Sequence, residues 1–189
     1  ILIALRGLPI DMSSMQSVGR EPEALALSVM MGLPATLAAV WLAIRIKKAS
    51  FTDYLALHWP SWRQLVFGAV GLIVIVLAWE IVSRSLGREA TPGFMTELLK
   101  SGRDKGGALL LLVAFSLAAP MSEAVLARGF LYRGWSESFL RIPGAILLSS
   151  LVWTVVHIQY DIYFLAEVFS IGVWFGYMRY RANSLWLTI

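Results

Sequence analysis

The stretch AAPMSEAVLARGFLYRGW, residues 118–135, places ionisable side chains in a chain that is otherwise rich in apolar residues. Glu123, Arg128 and Arg133 lie within or beside an apolar run. A charged side chain at the centre of a bilayer costs about 2.5–3.5 kcal/mol on insertion scales. Ionisable residues at that depth indicate a functional site by default, so Glu123 requires an explanation.

The composition is typical of a membrane protein. Of the 189 residues, 58% are hydrophobic and 15% are charged, whereas about 25% are charged in soluble domains. The length fits one membrane domain over residues 1–189 rather than two globular units. The net charge of +4 does not indicate nucleic-acid binding, because the Lys and Arg residues lie mainly between apolar runs, where they meet lipid headgroups. The chain has no cysteine, which excludes disulfides, thiolate metal sites and a Cys nucleophile.

Five apolar runs approach the length of a spanning helix, about 20 residues. They are residues 25–46, 65–82, 106–132, 142–158 and 162–180. The polar connection at 91–105 is long enough for an interfacial helix. The apolar ends ILIALRGLPID and SLWLTI are too short to span, so we expect a piece of a longer protein. The pattern predicts an all-α, multi-pass transmembrane helical bundle.

Pro120 interrupts the third run, and it suggests one interpretation of Glu123. Proline has no N–H and fits best at the first position of a helix, so we expect the helix to kink or restart there. Glu123 would then lie in a first turn, where free N–H groups and the helix dipole favour a carboxylate. From position alone, this capping role and a functional role are both open.

His157 favours the functional role. It shares a helical face with Trp153, four residues earlier. A lone His in an apolar helix is more often a packing residue, but here two spans each carry one proton-active group. A Glu and a His on neighbouring helices can hold a water molecule and deprotonate it. We therefore predict hydrolysis inside the membrane, with Glu123 and His157 turned toward a common polar cavity.

The stretch APMSEAVLARGFLYRGW and the later WTVVH resemble the CPBP family of intramembrane proteases. This family includes the CAAX-processing Ras-converting endopeptidases and Abi-type bacterial membrane proteases. Its first motif is two adjacent glutamates, three variable residues and an arginine, usually followed by glycine, and Glu123, Arg128 and Gly129 match it. Its second motif is an aromatic residue, usually Phe, four residues before a His, and Trp153 and His157 match it.

The resemblance covers about residues 118–189 and implies a CAAX-type intramembrane endopeptidase, multi-pass in the cell membrane. It implies Glu123 as the general base, His157 as the residue that shares the water, and Arg128 as the residue that organises the site. The implied partners are membrane lipid and a peptide or protein substrate, with no nucleic acid. No cofactor is firmly implied. A divalent metal such as zinc stays open, with Glu123 and His157 as two of the three or four ligands that it needs.

Two features depart from the family pattern. Ala124 stands where the family has its second glutamate, and the third motif, a His four residues before Asn, would lie after Ile189. On an α-helix Arg128 is one turn from position 124 but about 140° from Glu123, so the missing carboxylate would be its best partner. The alternative function is a catalytically silent protein of the same fold, a partner-binding or immunity factor. A small transporter is more distant, since neither a repeat nor paired half-helices are seen.

Several other polar residues have alternative interpretations. Ser150 and His157 are seven residues apart, the spacing of a Ser–His dyad on one helical face, although Ser pairs in spans usually pack helices together. Asp161 either orients the His157 imidazole or is simply solvated. Asn183 and Ser184 are predicted to cap a following helix.

Overall fold

The computed structural model describes residues 21–104 and 106–189, and these residues fold into helices with no strand among them. In chain order the helices are α1 (Pro22–Ile46), α2 (Phe51–Leu55), α3 (Trp62–Ser85), α4 (Gly93–Asp104), α5 (Ala108–Ser136), α6 (Arg141–Val155) and α7 (Ile162–Ala182), followed by a 3₁₀ turn at Trp186–Thr188. Helix α5 lies at the centre of the bundle and packs against α1, α2, α6 and α7. The predicted all-α fold is confirmed.

Three of these helices, α1, α3 and α5, are long and apolar enough to cross a membrane. Large apolar side chains are exposed along α3, among them Ile73, Val74, Leu77 and Ile81. Such a surface is unfavourable in water and suits hydrocarbon, where only hydrogen-bonded helices and barrels are stable. Helix α6 is shorter, with 15 residues, and it ends at Val155, before the predicted limit at residue 158. The chain is thus a membrane protein with a helical-bundle fold.

The polar connection predicted to hold a helix forms α4. Its Leu98 and Gly102, one turn apart, are buried, while Lys100 and Arg103 are exposed. A Cβ at position 102 would collide with the side chain of Leu111 on α5, so the absence of a side chain permits the close approach of the two helices. The prediction of a helix in this connection is confirmed.

Helix α5 changes its hydrogen-bond register twice. Ala114–Ala118 and Ala124–Leu131 are π-helical, and Ala119–Glu123 between them is α-helical. The backbone stays in the right-handed helical region throughout, with φ −69° and ψ −44° at the residue before Ala119 and φ −67° and ψ −45° at Glu123. The chain therefore does not leave the helix and start a new one at Pro120, while the alternative, a kink near Ala118 to Met121, stays a prediction.

The wide turn before Pro120 explains why the helix continues. In an α-helix the proline ring clashes with the carbonyl four residues earlier and leaves it without a donor. Here the Ala119 N–H donates to the carbonyl of Ala114, five residues earlier, and the chain passes the proline as a π-bulge. Glu123 consequently lies inside a continuous helix, so the first-turn capping argument for it no longer applies.

Asn183 ends α7 rather than beginning another helix. Its φ of 45° and ψ of 44° place it in the left-handed region, which Asn tolerates at helix C-termini. Its side-chain oxygen accepts a hydrogen bond from Arg179 Nη1 at 2.9 Å. The Ser184 hydroxyl donates to the carbonyl of His58, which ties this end of α7 to the loop after α2. The prediction that Asn183 and Ser184 cap a following helix is wrong.

The contact between α3 and α7 yields a stability prediction at Gly71. A Cβ there would overlap the Trp174 ring, whose N–H donates to the Gly68 carbonyl at 3.1 Å. Overpacking a tight contact typically costs about 1–3 kcal/mol, so Gly71→Ala is expected to lower the melting temperature of the protein in detergent micelles. Gly32→Ala is the matched control, because a Cβ at Gly32 meets nothing within 4 Å. Equal melting temperatures for the two variants would contradict the packing described here.

Candidate active site

Trp153 on α6 connects to Glu123 on α5 through its indole. The Nε1–H donates to Glu123 Oε2 at 2.8 Å, and both side chains are half-buried. Among the described residues no second donor reaches this carboxylate. One carboxylate oxygen is thus held, and Oε1 is left for another partner.

His157 lies just beyond the end of α6, and its ring folds back on the same helix. Its Nδ1 is 2.9 Å from the Trp153 carbonyl oxygen. Because a carbonyl can only accept, Nδ1 carries the hydrogen, and Nε2 of the neutral imidazole is left to accept a proton. The His157 and Trp153 rings meet edge to face, with centroids 5.1 Å apart and an interplanar angle of 72°. The predicted shared face of these two residues is confirmed.

Arg128 is buried against the same indole. Its side chain is 2% exposed, and its guanidinium carbon lies 4.0 Å from the Trp153 ring centroid and 5.4 Å from that of Phe175 on α7. This is the geometry of a cation–π contact. Its Nε and Nη2 are buried and have no acceptor among the described residues.

The π register of α5 explains why Glu123 and Arg128 reach the same tryptophan. They are five residues apart, and i→i+5 hydrogen bonds bring residues with that separation close in angle around the axis. The expected separation of about 140° assumed α-helical turns throughout and is therefore wrong. Ala124 is 1% exposed and belongs to an apolar cluster with Leu55 and Leu185, so it offers Arg128 no acceptor.

A cavity of about 230 Å³ lies between α1, α5 and α6, beside the carboxylate. Its oxygen-bearing side chains are Thr36, Ser122 and Glu123, and most of the rest of its lining is apolar. Trp153 lines it as well, whereas His157 does not. This cavity is mostly apolar and does not extend to His157, so a common polar cavity for Glu123 and His157 stays a prediction. Both groups contact Trp153, and a water shared between them stays a prediction.

Ser150 does not form a dyad with His157. Its hydroxyl donates to the Ile146 carbonyl at 2.7 Å, and the residue is fully buried. A Cβ at Gly172 on α7 would lie 3.0 Å from the Ser150 Cβ. This small residue therefore packs α6 against α7, as Ser pairs in spans usually do.

Asp161 caps α7 instead of orienting the imidazole. Its Oδ1 accepts hydrogen bonds from the backbone N–H groups of Tyr163 and Phe164. Its Oδ2 accepts from Arg88 Nη2 at 2.8 Å, which links the connection after α3 to the start of α7. Both oxygens have partners other than His157, so the orienting role is wrong, while the side chain remains half-exposed, as the solvation alternative predicted.

Tyr160 joins the site although sequence reasoning did not single it out. Its ring centroid lies 5.6 Å from that of His157. Burial and, after it, the nearby Glu123 carboxylate raise the pKa of the Tyr160 phenol above its usual value. In the sequence, only its position three residues after His157 indicates that Tyr160 lies near the site.

The described residues do not make up a zinc site. Within 21–104 and 106–189, no group of three or more His, Asp or Glu side chains lies close enough to hold a metal ion. Catalytic zinc takes three protein ligands and structural zinc four, and the predicted pair, Glu123 and His157, supplies two.

Residues 105–189 match the family model described as Type II CAAX prenyl endopeptidase Rce1-like. No curated protein and no solved structure matches the chain. The matched segment contains α5, α6 and α7, and with them every side chain that contacts Trp153 as described above. By this match, residues 105–189 are similar to CAAX-protease-like membrane proteins, in agreement with the resemblance that the sequence motifs indicate.

Proposed function

We propose that the chain is an intramembrane endopeptidase of the CAAX-processing type, located in the cell membrane. The observation that carries the proposal is that Glu123, Arg128 and His157 all contact one side chain, Trp153. The match of residues 105–189 to the CAAX prenyl endopeptidase family model supports the same reaction class. The proposed reaction is hydrolysis of a peptide bond near the membrane surface.

In this mechanism Glu123 is the general base. Its Oε1 removes a proton from a water molecule, while Trp153 holds Oε2. The water oxygen attacks the peptide carbonyl carbon and forms a tetrahedral intermediate. When the intermediate collapses, the C–N bond breaks, and the proton passes from Glu123 to the departing amine.

His157 and Arg128 have supporting roles. The His157 Nε2 accepts a hydrogen bond from the attacking water, since Nδ1 already donates to the Trp153 carbonyl. Arg128 lies over the indole and keeps it in place, which is the organising role that the family resemblance implies.

The cavity indicates the kind of substrate. Its mostly apolar walls along α1, α5 and α6 suit an apolar segment that approaches Glu123 from the lipid. The proposed partners are membrane lipid and a peptide or protein whose scissile bond lies next to an apolar portion. The mechanism needs no cofactor.

One observation favours a second function, that of a silent partner-binding or immunity factor. Position 124 carries a buried Ala, and two nitrogen atoms of Arg128, Nε and Nη2, have no acceptor among the described residues. In that case the fold would serve as a scaffold, and a carboxylate at position 124 would be the missing catalytic element.

The test is peptide cleavage by the full chain in proteoliposomes, with prenylated and unprenylated CAAX-type peptides. The parent protein is expected to cleave at least one peptide above the background of empty liposomes. Ala124→Glu is the matched variant, since it places a carboxylate one turn from Arg128. An inert parent with an active Ala124→Glu variant would favour the silent factor. Two inert proteins, both shown to be folded, would overturn the endopeptidase proposal.

A further inference from the structure

We propose that Trp153 is a positioning residue, whose indole N–H fixes the Glu123 carboxylate so that Oε1 faces the water. The catalytic part of this inference rests on the proposed endopeptidase function. The structural part, a hydrogen bond that orients the carboxylate, stands on the contacts alone.

The hydrogen bond from Trp153 is strong because its acceptor is a carboxylate. A neutral N–H that donates to a carboxylate makes a charge-assisted bond, roughly twice as strong as one between neutral groups. The bond lies beside a mostly apolar cavity, where the low dielectric strengthens it further. Glu123 has no other donor among the described residues, so this one contact selects its orientation.

The indole is itself held from two sides, and the direction of its N–H is therefore fixed. Arg128 covers the ring at 4.0 Å, and the Phe175 ring lies 6.3 Å away at an angle of 56°. A Cβ at Gly172 would come within 3.1 Å of Trp153 Cε3, so α7 leaves the ring little room. A catalytic group requires such support from neighbouring residues, because small displacements cost rate.

Two other tryptophans provide a comparison within the same fold. Trp79 Nε1 donates to the Ser170 hydroxyl at 2.8 Å, and Trp174 Nε1 donates to the Gly68 carbonyl at 3.1 Å. Both bonds join helices through neutral acceptors. Trp153 differs because its acceptor is an ionisable side chain.

The kinetic test uses Trp153→Phe, with Trp79→Phe as the matched control. Each change keeps an aromatic ring and removes one indole N–H bonded at 2.8 Å. Trp153→Phe is expected to lower kcat about 10- to 100-fold, the range for loss of a hydrogen bond to a charged group. KM should change less than about twofold, because the interaction acts on the reacting group and not on substrate binding. Trp79→Phe should keep the parent kcat, and an unchanged kcat in Trp153→Phe would overturn the proposal.

A spectroscopic test does not depend on cleavage. In ¹H–¹⁵N spectra of the ¹⁵N-indole-labelled protein in micelles, Glu123→Gln should move one indole signal, because the acceptor loses its charge. That signal should be absent from Trp153→Phe, and the Trp79 signal should stay in place. A Glu123→Gln spectrum in which no indole signal moves would overturn the inference, even if Trp153→Phe fails to fold. A moving signal in a protein without cleavage would support the contact and overturn the proposed function.

Discussion

Glu123→Gln is expected to lower peptide cleavage by about 10²–10⁴-fold, the usual contribution of a general base. Glutamine keeps the length of the side chain and an oxygen that accepts from the Trp153 indole, but it cannot take a proton from water. Insertion and folding should therefore stay normal. Single-turnover cleavage in proteoliposomes would measure the chemical step without interference from product release.

Glu167 supplies the matched control for this substitution. It is also a half-buried carboxylate on a long helix, α7, but it does not line the cavity beside Glu123. Glu167→Gln should retain cleavage near that of the parent. If Glu123→Gln cleaves as fast as the parent, Glu123 is not the general base and the proposed mechanism is wrong.

His157→Gln is expected to lower cleavage by about 10²-fold or more, because an amide cannot accept a proton at the position of Nε2. The amide nitrogen of Gln can still donate to the Trp153 carbonyl, so the end of α6 should keep its structure. Cleavage rates of the two proteins under identical conditions provide the measurement.

The chain contains two histidines, and the second is a natural control. His58 is exposed in the loop after α2, and only its backbone carbonyl makes a described hydrogen bond, with Ser184. His58→Gln should leave cleavage unchanged. Equal losses in both variants would indicate a general effect of histidine removal on the protein and would contradict a specific role for His157.

The fold was predictable because a membrane-spanning helix is recognised from the length and hydropathy of an apolar run. Neither property depends on how individual side chains pack. Runs of about 20 apolar residues must form helices in hydrocarbon, since the backbone has no other partner there. Three of the five predicted runs are confirmed as long, apolar helices, α1, α3 and α5. The polar segment that became α4 was predictable for a similar reason, because it is too long for a simple turn.

The site was predictable in its residues but not in its arrangement. Glu123, Arg128 and His157 could be selected because ionisable groups in apolar segments are costly. Their mutual geometry depends on the register of α5, and apolar periodicity does not encode a change from α to π turns. The hydrogen bond from Trp153 to Glu123 could not be predicted either. It joins α6 to α5, and the sequence does not give the relative rotation of these two helices.

The other incorrect predictions concern residues that are compatible with more than one local structure. Asn183 suits both a helix start and a left-handed helix end, and only the observed backbone angles decide between them. Asp161 can cap a helix, form an ion pair or orient a histidine. Its contacts with the backbone of α7 and with Arg88 show that it caps the helix and forms an ion pair. Pro120 predicts a break in an α-helix, because its ring clashes with the carbonyl four residues earlier. The π-helical turn before Pro120 avoids this clash.

The wide turns of α5 make the number of residues as important as their identity. Ala114–Ala118 and Ala124–Leu131 set the rotation between the two ends of the helix. Removal of one residue between Glu123 and Arg128 could be absorbed by a return to α-helical turns, because residues four apart on an α-helix are about 40° apart around the axis. A return to α-helical turns with all residues kept would instead place Arg128 about 140° from Glu123 and away from Trp153, although every side chain that builds the site would still be present. The hydrogen-bond register of this helix, and not only its amino-acid composition, thus decides whether the site forms.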